Sequence, residues 1–238
     1  MLKHIKFFQR GMFVAMLVAG VGRSFTAGAA VETVGAVLPL AQTDYSDSLS
    51  VAQFNPNLGT LQSVTITATG TGQFSQYYQN LSTGSPGSVT ISQNFDMLLG
   101  MPSLGTIVSD LNVTPGSQTY SLQAYTGTPF FTGNSGGSQT YEASGSSTVT
   151  LGASSLAAFT GSGLADFTVT ANGFGSSDNN TGNFAVGWST LAGLGLSVTY
   201  TYNVIPEPAT WMAGIFAVGI MLAHVRRLAL KRQIGLPK

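Results

Sequence analysis

The run Val64-Thr65-Ile66-Thr67-Ala68-Thr69 alternates apolar side chains with threonines. Because successive side chains of a β-strand point to opposite faces, this period of two predicts a strand with one buried face and one hydroxyl-covered face. The run Leu196-Ser197-Val198-Thr199-Tyr200-Thr201-Tyr202-Asn203-Val204 repeats the alternation and predicts a long final strand. Shorter segments with the same pattern are 89–92, 120–124 and 167–171.

Glycine-rich clusters separate these segments and predict turns. The clusters are Gly70-Thr71-Gly72, Gly84-Ser85-Pro86-Gly87, Thr114-Pro115-Gly116, 133–137 and 173–182. Only 95–99 and 154–159 have the pattern of short helical turns. Many short strands at this spacing predict an all-β fold, an antiparallel β-sandwich of jelly-roll type, over residues 30–204.

The charges of the chain are distributed very unevenly. All nine Lys and Arg and both His lie near the two ends, whereas eight of the nine acidic residues lie in the central region. A domain without cations cannot neutralise phosphates, so we predict no nucleic-acid partner. The absence of His and Cys there excludes Ser-His and Cys-His nucleophile systems and thiolate or imidazole metal sites.

The N-terminal segment 1–29 has the layout of a secretory signal peptide. Lys3, Lys6 and Arg10 precede an apolar stretch, and Ala27-Gly28-Ala29 offers a small-x-small cleavage site at Ala27 and Ala29. We therefore predict export through the Sec machinery.

The C-terminal segment 205–238 combines three parts. Pro206-Glu207-Pro208 interrupts regular structure, since proline donates no backbone hydrogen bond and disfavours helix at the residue before it. The apolar run 211–225 would cover roughly 22 Å of an approximately 30 Å hydrocarbon core. The basic residues Arg226, Arg227, Lys231 and Arg232 then form a cytoplasmic stop.

This order of triplet, short transmembrane helix and basic tail resembles the PEP-CTERM sorting signal of exported Gram-negative bacterial proteins. The resemblance implies an exosortase-type membrane processing enzyme as a partner, and a membrane-anchored precursor whose mature domain lies at the cell surface or outside the cell. An ordinary C-terminal membrane anchor is the alternative reading of the same tail.

The central region carries a second resemblance. The run Gln53-Phe54-Asn55-Pro56-Asn57-Leu58-Gly59-Thr60-Leu61, the segment 156–163 and the closing Val198-Thr199-Tyr200-Thr201-Tyr202 resemble the choice-of-anchor E domain over about residues 31–204. That family supplies no catalytic residues. Within the first run we predict a structural corner, with a turn at Pro56 and Gly59 and with Phe54, Leu58 and Leu61 pointing inward.

We predict no cofactor, and two oxygen-rich stretches provide the alternative of a Ca²⁺ site. Asp44 and Asp47 are predicted as turn-capping or solvated carboxylates, with cation ligation as the other reading. The oxygen-rich run Asp178-Asn179-Asn180-Thr181-Gly182-Asn183 lacks an EF-hand pattern and is predicted as a flexible loop. We predict no catalytic residues and no resident metal.

Aromatic residues provide the other candidate site. Tyr77, Tyr78, Tyr125, Phe130, Phe131 and Trp188 could stack on sugar rings, with packing in the core or at its rim as the alternative.

Three functions follow from these observations. The first is a structural protein of the cell surface or extracellular matrix, in an exopolysaccharide or biofilm setting, that self-associates weakly because no Lys guards its sheet edges. The second is a carbohydrate-binding module. The third is a glycoside hydrolase built on two carboxylates. The acids available for it are Asp44, Asp47, Asp96, Asp110, Glu142, Asp166 and Asp178.

Overall fold

The computed structural model of the protein describes residues 28–127, 129–180, 182–205 and 208–234. Ala27, Pro206 and Glu207 lie outside the described residues, as does most of the predicted signal peptide. The chain divides into two compact units, one of which is Ala30–Asn203.

Nine strands, one short 3₁₀ helix and one α-helix make up the described part of the chain. The strands are β1 (Ala29–Gln42), β2 (Tyr45–Ala52), β3 (Gly59–Asn80), β4 (Gly87–Met101), β5 (Gly105–Val113), β6 (Ser117–Leu122), β7 (Gly136–Leu151), β8 (Leu164–Asn179) and β9 (Phe184–Val204). The 3₁₀ helix is Ala153–Phe159, and helix α1 is Pro208–Ile234.

The strands form two sheets. Sheet A has the order β1-β9-β3-β7, and sheet B has the order β2-β8-β4-β5, with β6 also pairing with β4. The pairs β2–β8, β3–β7, β4–β5, β4–β6 and β4–β8 are all antiparallel. The prediction of an all-β antiparallel sandwich is therefore confirmed.

The alternating run 64–69 lies in β3, and its apolar and polar residues face the sides that the period of two predicts. Val64, Ile66 and Ala68 are completely buried, whereas Thr65 and Thr67 face outward and bond the hydroxyls of Thr150 and Thr148 on β7, each at 3.1 Å. The segments 89–92, 167–171 and 196–204 lie in β4, β8 and β9, and 120–122 lie in β6. The apolar rows of both sheets meet in one main core, as two packed sheets require. The largest buried side chains of this core include Phe54, Phe74, Phe95, Phe159, Phe167 and Tyr200.

Two predicted turns are wrong because their glycines lie inside strands. Gly70-Thr71-Gly72 lies in the middle of β3, and most of 173–182 belongs to β8. A Cβ added at Gly72 would collide with the Phe95 ring and lie 2.7 Å from the Phe74 ring, so this glycine makes room for aromatic packing. At Gly173 the obstacle is Thr43, and at Gly175 it is the Trp188 indole. Strand glycines of this kind mark close approaches rather than chain reversals.

The two predicted helical turns have opposite outcomes. The segment 154–159 falls within the 3₁₀ helix, which confirms that prediction. The segment 95–99 was predicted wrongly, since it lies in β4, where Phe95, Met97 and Leu99 are buried and alternate with outward-facing residues. The pairing of β4 with both β5 and β8 overrides the weak helical pattern.

The predicted corner is confirmed at Pro56, Phe54 and Leu61 and is wrong at Gly59, which begins β3, and at the Leu58 side chain. Leu58 donates its backbone N–H to Asn55 O at 3.1 Å, and the Asn55 side chain accepts from the backbone of Asn57 at 3.0 Å. Phe54 is completely buried, with its ring 4.8 Å from that of Tyr202. Leu58, however, is 43% exposed, because the tight turn directs it away from the core.

Candidate functional site

An exposed group of three aromatic residues is the best candidate for a binding site. Tyr77 lies near the end of β3, and Phe130 and Phe131 lie in the loop that precedes β7. The Tyr77 and Phe131 ring centroids are 5.8 Å apart, and those of Phe130 and Phe131 are 6.0 Å apart. Phe130 is 58% exposed and Tyr77 is 38% exposed. We call Tyr77, Phe130 and Phe131 the aromatic cluster.

A buried glutamine holds the loop of the aromatic cluster. Phe131 has a φ of 60°, an uncommon value for a bulky residue, and donates its backbone N–H to Gln79 Oε1 at 2.8 Å. Gln79 is completely buried and donates from Nε2 to Ser135 Oγ at 2.8 Å. The strained backbone at Phe131 is thus stabilised by a hydrogen bond to a fixed partner, as strain at functional positions usually is.

The neighbouring Asn80 ties two loops together at the same end of the sandwich, the β3–β4 loop and the loop after β6. Its Nδ2 donates to Ser85 O and to Gln123 O, each at 3.0 Å, and its Oδ1 accepts from the backbone of Ser82 at 2.9 Å. Sequence reasoning missed both Gln79 and Asn80 as organising residues. The only available signal was a pair of amide side chains at the end of a strand, next to a loop rich in Ser, Gly and Pro.

A second, smaller core lies beneath this end, and we call it the tyrosine core. It contains the buried residues Tyr78, Val89, Ile91 and Leu122, and Tyr120 packs against it. Tyr78 and Tyr120 stack with ring centroids 3.7 Å apart. Tyr120 donates its hydroxyl to Gln76 Oε1 at 2.6 Å and lies 2.8 Å from the Tyr141 hydroxyl.

The phenols in this core resist ionisation. Burial raises the pKa of Tyr120 far above its ordinary value, and the neighbouring Tyr141 and Tyr78 hydroxyls raise it further. Burial likewise raises the pKa of Tyr78. These tyrosines therefore act as neutral hydrogen-bonding groups.

The other predicted aromatic residues do not join the aromatic cluster. Tyr78 is buried in the tyrosine core, and Tyr125 is half-buried, with its backbone N–H donated to Ser82 O at 2.8 Å. Trp188 is 42% exposed and lies against Gly175. Gly187, the residue before it, faces Tyr77, and consecutive strand residues point to opposite faces, so Trp188 points away from Tyr77.

The candidate Ca²⁺ ligands Asp44 and Asp47 accept hydrogen bonds from backbone N–H groups. Asp44 has a φ of 68° and accepts the backbone N–H of Gly173 on its Oδ1 at 3.0 Å, so its carboxylate bonds a residue of β8 and does not cap its own turn. Asp47 accepts from the backbone of Ser48 at 2.7 Å. Within the described residues, no three His, Cys, Asp or Glu side chains converge to hold a metal ion.

The oxygen-rich run at the end of β8 closes a turn. Asn179 Oδ1 accepts from the backbone of Gly182 at 2.6 Å, and Asn180 Oδ1 accepts from the backbone of Ser88 at 2.8 Å. Asp178 belongs to β8 and pairs in register with Thr90, so it lies in regular structure rather than in the predicted flexible loop. Thr181 lies outside the described residues.

The remaining acids are spread over several strands. Asp166 on β8 accepts from Ser50 Oγ at 2.6 Å, and Asp96 on β4 accepts from the Asn112 side-chain amide. Asp110 is exposed on β5, and Glu142 is exposed on β7, opposite Gln73. A depression of about 320 Å³ near β4 and β5 is lined by residues such as Leu98, Gly100 and Thr168, and its lining contains no acid.

The residues of the predicted sorting signal lie only partly in the described region. Pro208 begins helix α1, the position at which a proline costs no helical hydrogen bond. Arg226 and Arg227 lie on the exposed part of α1, and Lys231 and Arg232 lie in its last turns. Ala29 begins β1. Among the described residues, no helix has both the length and the apolar character needed to cross a membrane.

Comparisons with known proteins give no family. No known protein family matches the sequence, and no curated protein matches it. Three solved structures with a distant likeness are a protein of infectious bursal disease virus, Gx strain, a protein of the Bacillus endospore appendages, described as disulfide-linked pili, and dimeric latent PorU from Porphyromonas gingivalis.

These likenesses are weak by every measure. The virus protein is 11% identical with a TM-score of 0.15, over 84% of this chain and 49% of its own. The appendage protein is 10% identical with a TM-score of 0.19, over 75% of this chain and 95% of its own. PorU is 9% identical with a TM-score of 0.19, over 76% of this chain and 14% of its own. The chain thus spans about half of the virus protein and a small part of PorU, and scores this low carry no functional argument.

Proposed function

We propose that this protein is a non-enzymatic structural component of the cell surface or extracellular matrix, exported and then sorted through its C-terminal tail. The proposal rests on the hydrogen bonds that the acidic side chains make. Four of them each accept a hydrogen bond from a neighbour in the strands or turns, namely Asp44, Asp47, Asp96 and Asp166. Carboxylates used in this way hold neighbouring strands and turns of the scaffold, whereas glycoside hydrolysis uses a pair of carboxyl groups that flank the bond to be cleaved.

The outer face of sheet A supports the same role. Cross-strand hydroxyl pairs cover it, including Thr33 with Thr199, Thr65 with Thr150 and Ser75 with Thr140, each 3.1 Å apart. Such a face is polar and nearly uncharged, with Glu142 on β7 as an exception, which suits a protein embedded in hydrated polysaccharide.

The finer parts of the proposal concern fold type and sorting. A jelly-roll is supported by the strand order, since β1, β2, β3 and β4 alternate between the sheets and β7, β8 and β9 do so again. Processing of a PEP-CTERM tail by an exosortase is supported by Pro206-Glu207-Pro208 and the basic residues beyond it. The choice-of-anchor E resemblance and the exopolysaccharide setting belong to the same proposal.

Intact mass and fractionation of the native protein in its own host test export and sorting. We expect a product that begins near Ala30, ends near Pro208 and lies outside the cytoplasmic membrane. A product that retains His224 and Arg226 and fractionates with the inner membrane would show instead that the tail is a plain anchor.

The aromatic cluster favours a second candidate, a carbohydrate-binding module. Exposed rings on a loop fixed by Gln79 present flat apolar surfaces for sugar rings at low entropic cost. Affinity electrophoresis in gels containing the host's matrix polysaccharide tests this function. Phe130→Ala should abolish retardation, whereas Trp188→Ala, which removes an exposed ring outside the cluster, should preserve it. Equal retardation of both variants and the wild type would exclude the cluster as the site.

A further inference from the structure

The two sheets present edge strands that differ in how well they resist pairing with another chain. An edge strand exposes unpaired backbone N–H and C=O groups, and proteins guard such edges with short strands, bulges, proline, lysine or inward-pointing charges. In sheet B, β2 has 8 residues and β6 has 6 residues, and β5 pairs with β4 through irregularities between Met97 and Gly100. Both edges of sheet B are therefore guarded.

In sheet A, the β1 edge is guarded by its side chains. Pro39 contributes no backbone N–H. Glu32 is half-buried on the core-facing row, and its Oε2 is buried without a hydrogen-bond partner among the described atoms. An inward carboxylate on an edge strand disfavours a neighbour that would bury it further.

The opposite edge, β7, has none of these guards. Its 16 residues pair with β3 in one unbroken register, from Leu151 opposite Val64 to Gly136 opposite Gln79. The strand contains no Lys, Arg or Pro, and its only charge is Glu142, which faces outward. A long, regular and nearly uncharged edge is a template for a further strand.

The sequence of β7 is nearly symmetric about Gly145. In the run Thr140-Tyr141-Glu142-Ala143-Ser144-Gly145-Ser146-Ser147-Thr148-Val149-Thr150, a two-fold axis at Gly145 places Thr140 opposite Thr150 and Ser144 opposite Ser146 of a second copy. Hydroxyl pairs of this kind stabilise antiparallel strands. The same axis places Glu142 opposite the partner's Thr148, so the two carboxylates do not face each other.

The pairs inside one molecule already have the chemistry that the symmetric contact would repeat. Thr150 bonds Thr65 and Thr140 bonds Ser75, each at 3.1 Å. Pairing Thr150 with the partner's Thr140 would therefore continue the hydroxyl row of sheet A from one copy into the next.

The core-facing row of β7 is also incompletely covered. Tyr141 and Val149 are half-buried and pack against the main core, whereas the corresponding row of β3 is buried. The axis at Gly145 sets Tyr141 opposite the partner's Val149, an aromatic and β-branched pair of the type that stabilises sheets. A partner strand would thus cover apolar surface that one copy leaves exposed.

We propose that β7 pairs antiparallel with β7 of a second copy about a two-fold axis at Gly145, which joins two A sheets into one continuous sheet. This contact deepens the self-association within the proposed structural role. It is tested on β7 itself, so its failure is distinguishable from a failure of export or sorting.

Cysteine trapping in the full chain in detergent tests the register, since the protein contains no cysteine of its own. Ser144 and Ser146 are both exposed. In the proposed register, a mixture of S144C and S146C brings the two Cα atoms to about 4.5–5.5 Å, within disulfide range. Each variant alone places its two cysteines about 7–8 Å apart on the diagonal, which is too far. We expect the mixture to form roughly fivefold more disulfide-linked dimer than either variant alone under mild oxidation.

A charge swap at one position provides an independent measurement. T148K would place a lysine opposite the partner's Glu142, and T148E would place a second carboxylate there. Sedimentation should show dimer affinities that differ by roughly fivefold in favour of T148K, since each dimer contains two such pairs. The matched changes S48K and S48E, on the exposed edge of β2, should give equal affinities. No excess cross-linking in the cysteine mixture, or equal affinities of T148K and T148E, would overturn the proposal.

Discussion

The main core and the tyrosine core are stabilised by different interactions. The main core is filled by aromatic and aliphatic side chains such as Phe74 and Phe95, whose rings stack 5.8 Å apart. The tyrosine core has only four buried apolar residues, and the chain around it is held by hydrogen bonds from buried amides and hydroxyls such as Gln79 and Tyr120.

The difference has a functional reason. Apolar burial is non-directional and stabilises the scaffold in proportion to area. Hydrogen bonds are directional and can fix a loop in one conformation. The exposed aromatic cluster lies where Gln79 holds the backbone of Phe131, so directional contacts occur where a loop must be positioned.

The largest expected effect is the loss of a ring from the main core. Phe95→Ala removes a completely buried side chain and should lower the free energy of unfolding by about 3–5 kcal/mol. Urea unfolding monitored by circular dichroism measures this change. A loss below about 1 kcal/mol would contradict the assignment of Phe95 to a close-packed core.

Gly72→Ala serves as a matched control, because its new methyl group would collide with the Phe95 ring. In the wild type we expect a cost of about 1–3 kcal/mol from overpacking. In the Phe95→Ala background the cost should be smaller, because one of the two rings in contact is gone. Equal costs in both backgrounds would show that the glycine has another role.

An intermediate effect is expected in the tyrosine core. Tyr120→Phe keeps the stacked ring but leaves the completely buried Gln76 without its donor, so the free energy of unfolding should fall by about 1–3 kcal/mol. Tyr141→Phe removes the contact to the Tyr120 hydroxyl but keeps the bond to Gln76, so it should cost less. If thermal unfolding shows a larger loss of stability for Tyr141→Phe than for Tyr120→Phe, the hydrogen bond from Tyr120 to Gln76 is not the main stabilising contact.

The smallest expected effect is the pH dependence of one tyrosine in the main core. Burial, with a lesser contribution from the Glu32 carboxylate, raises the pKa of Tyr200 from 10.0 to about 12. A pKa raised by folding gives stability that is complete below pH 10 and is lost as the pH rises through about 12. The free energy of unfolding should therefore decline over that interval.

Tyr200→Phe isolates this contribution from those of the other buried tyrosines. At pH 8 the variant should be less stable by about 1 kcal/mol, because it loses the hydrogen bond to Ala52 O. Between pH 10 and pH 12 it should lose less stability than the wild type does. Urea titrations at each pH give the free energy of unfolding of both proteins. If the two proteins lose stability in parallel over that range, ionisation of Tyr200 is not the cause of the alkaline decline.

Local pattern was sufficient for the strands and for part of the corner. The period of two in 64–69 and 196–204 predicted β3 and β9 correctly, because alternation reflects burial on one face of a strand. The turn at 55–58 followed from Pro56 for an equally local reason, whereas the hydrogen bonds of Asn55 were not predicted. The positions of Pro206 and Glu207 stay predictions, since those residues lie outside the described part of the chain.

The site was only partly predictable. Tyr77, Phe130 and Phe131 were singled out by residue type, but their proximity depends on a loop that folds back onto β3 and is bound by Gln79. Trp188 was an equally good candidate in the sequence. It follows Gly187 on β9, which faces Tyr77, so the Trp188 side chain points to the opposite face of the strand.

The sequence by itself determined the strand character of the central region, its one-sided charge and the turn chemistry of its corner, because these depend on residues within a few positions of one another. Only the tertiary structure decided which strands pair, which glycines lie in turns and which glycines lie in strands against aromatic rings. Thr65 meets Thr150 across 85 positions, and Gly72 is required by a ring of another strand. Contacts of this range are set by how the two sheets pack, and no local pattern encodes that packing.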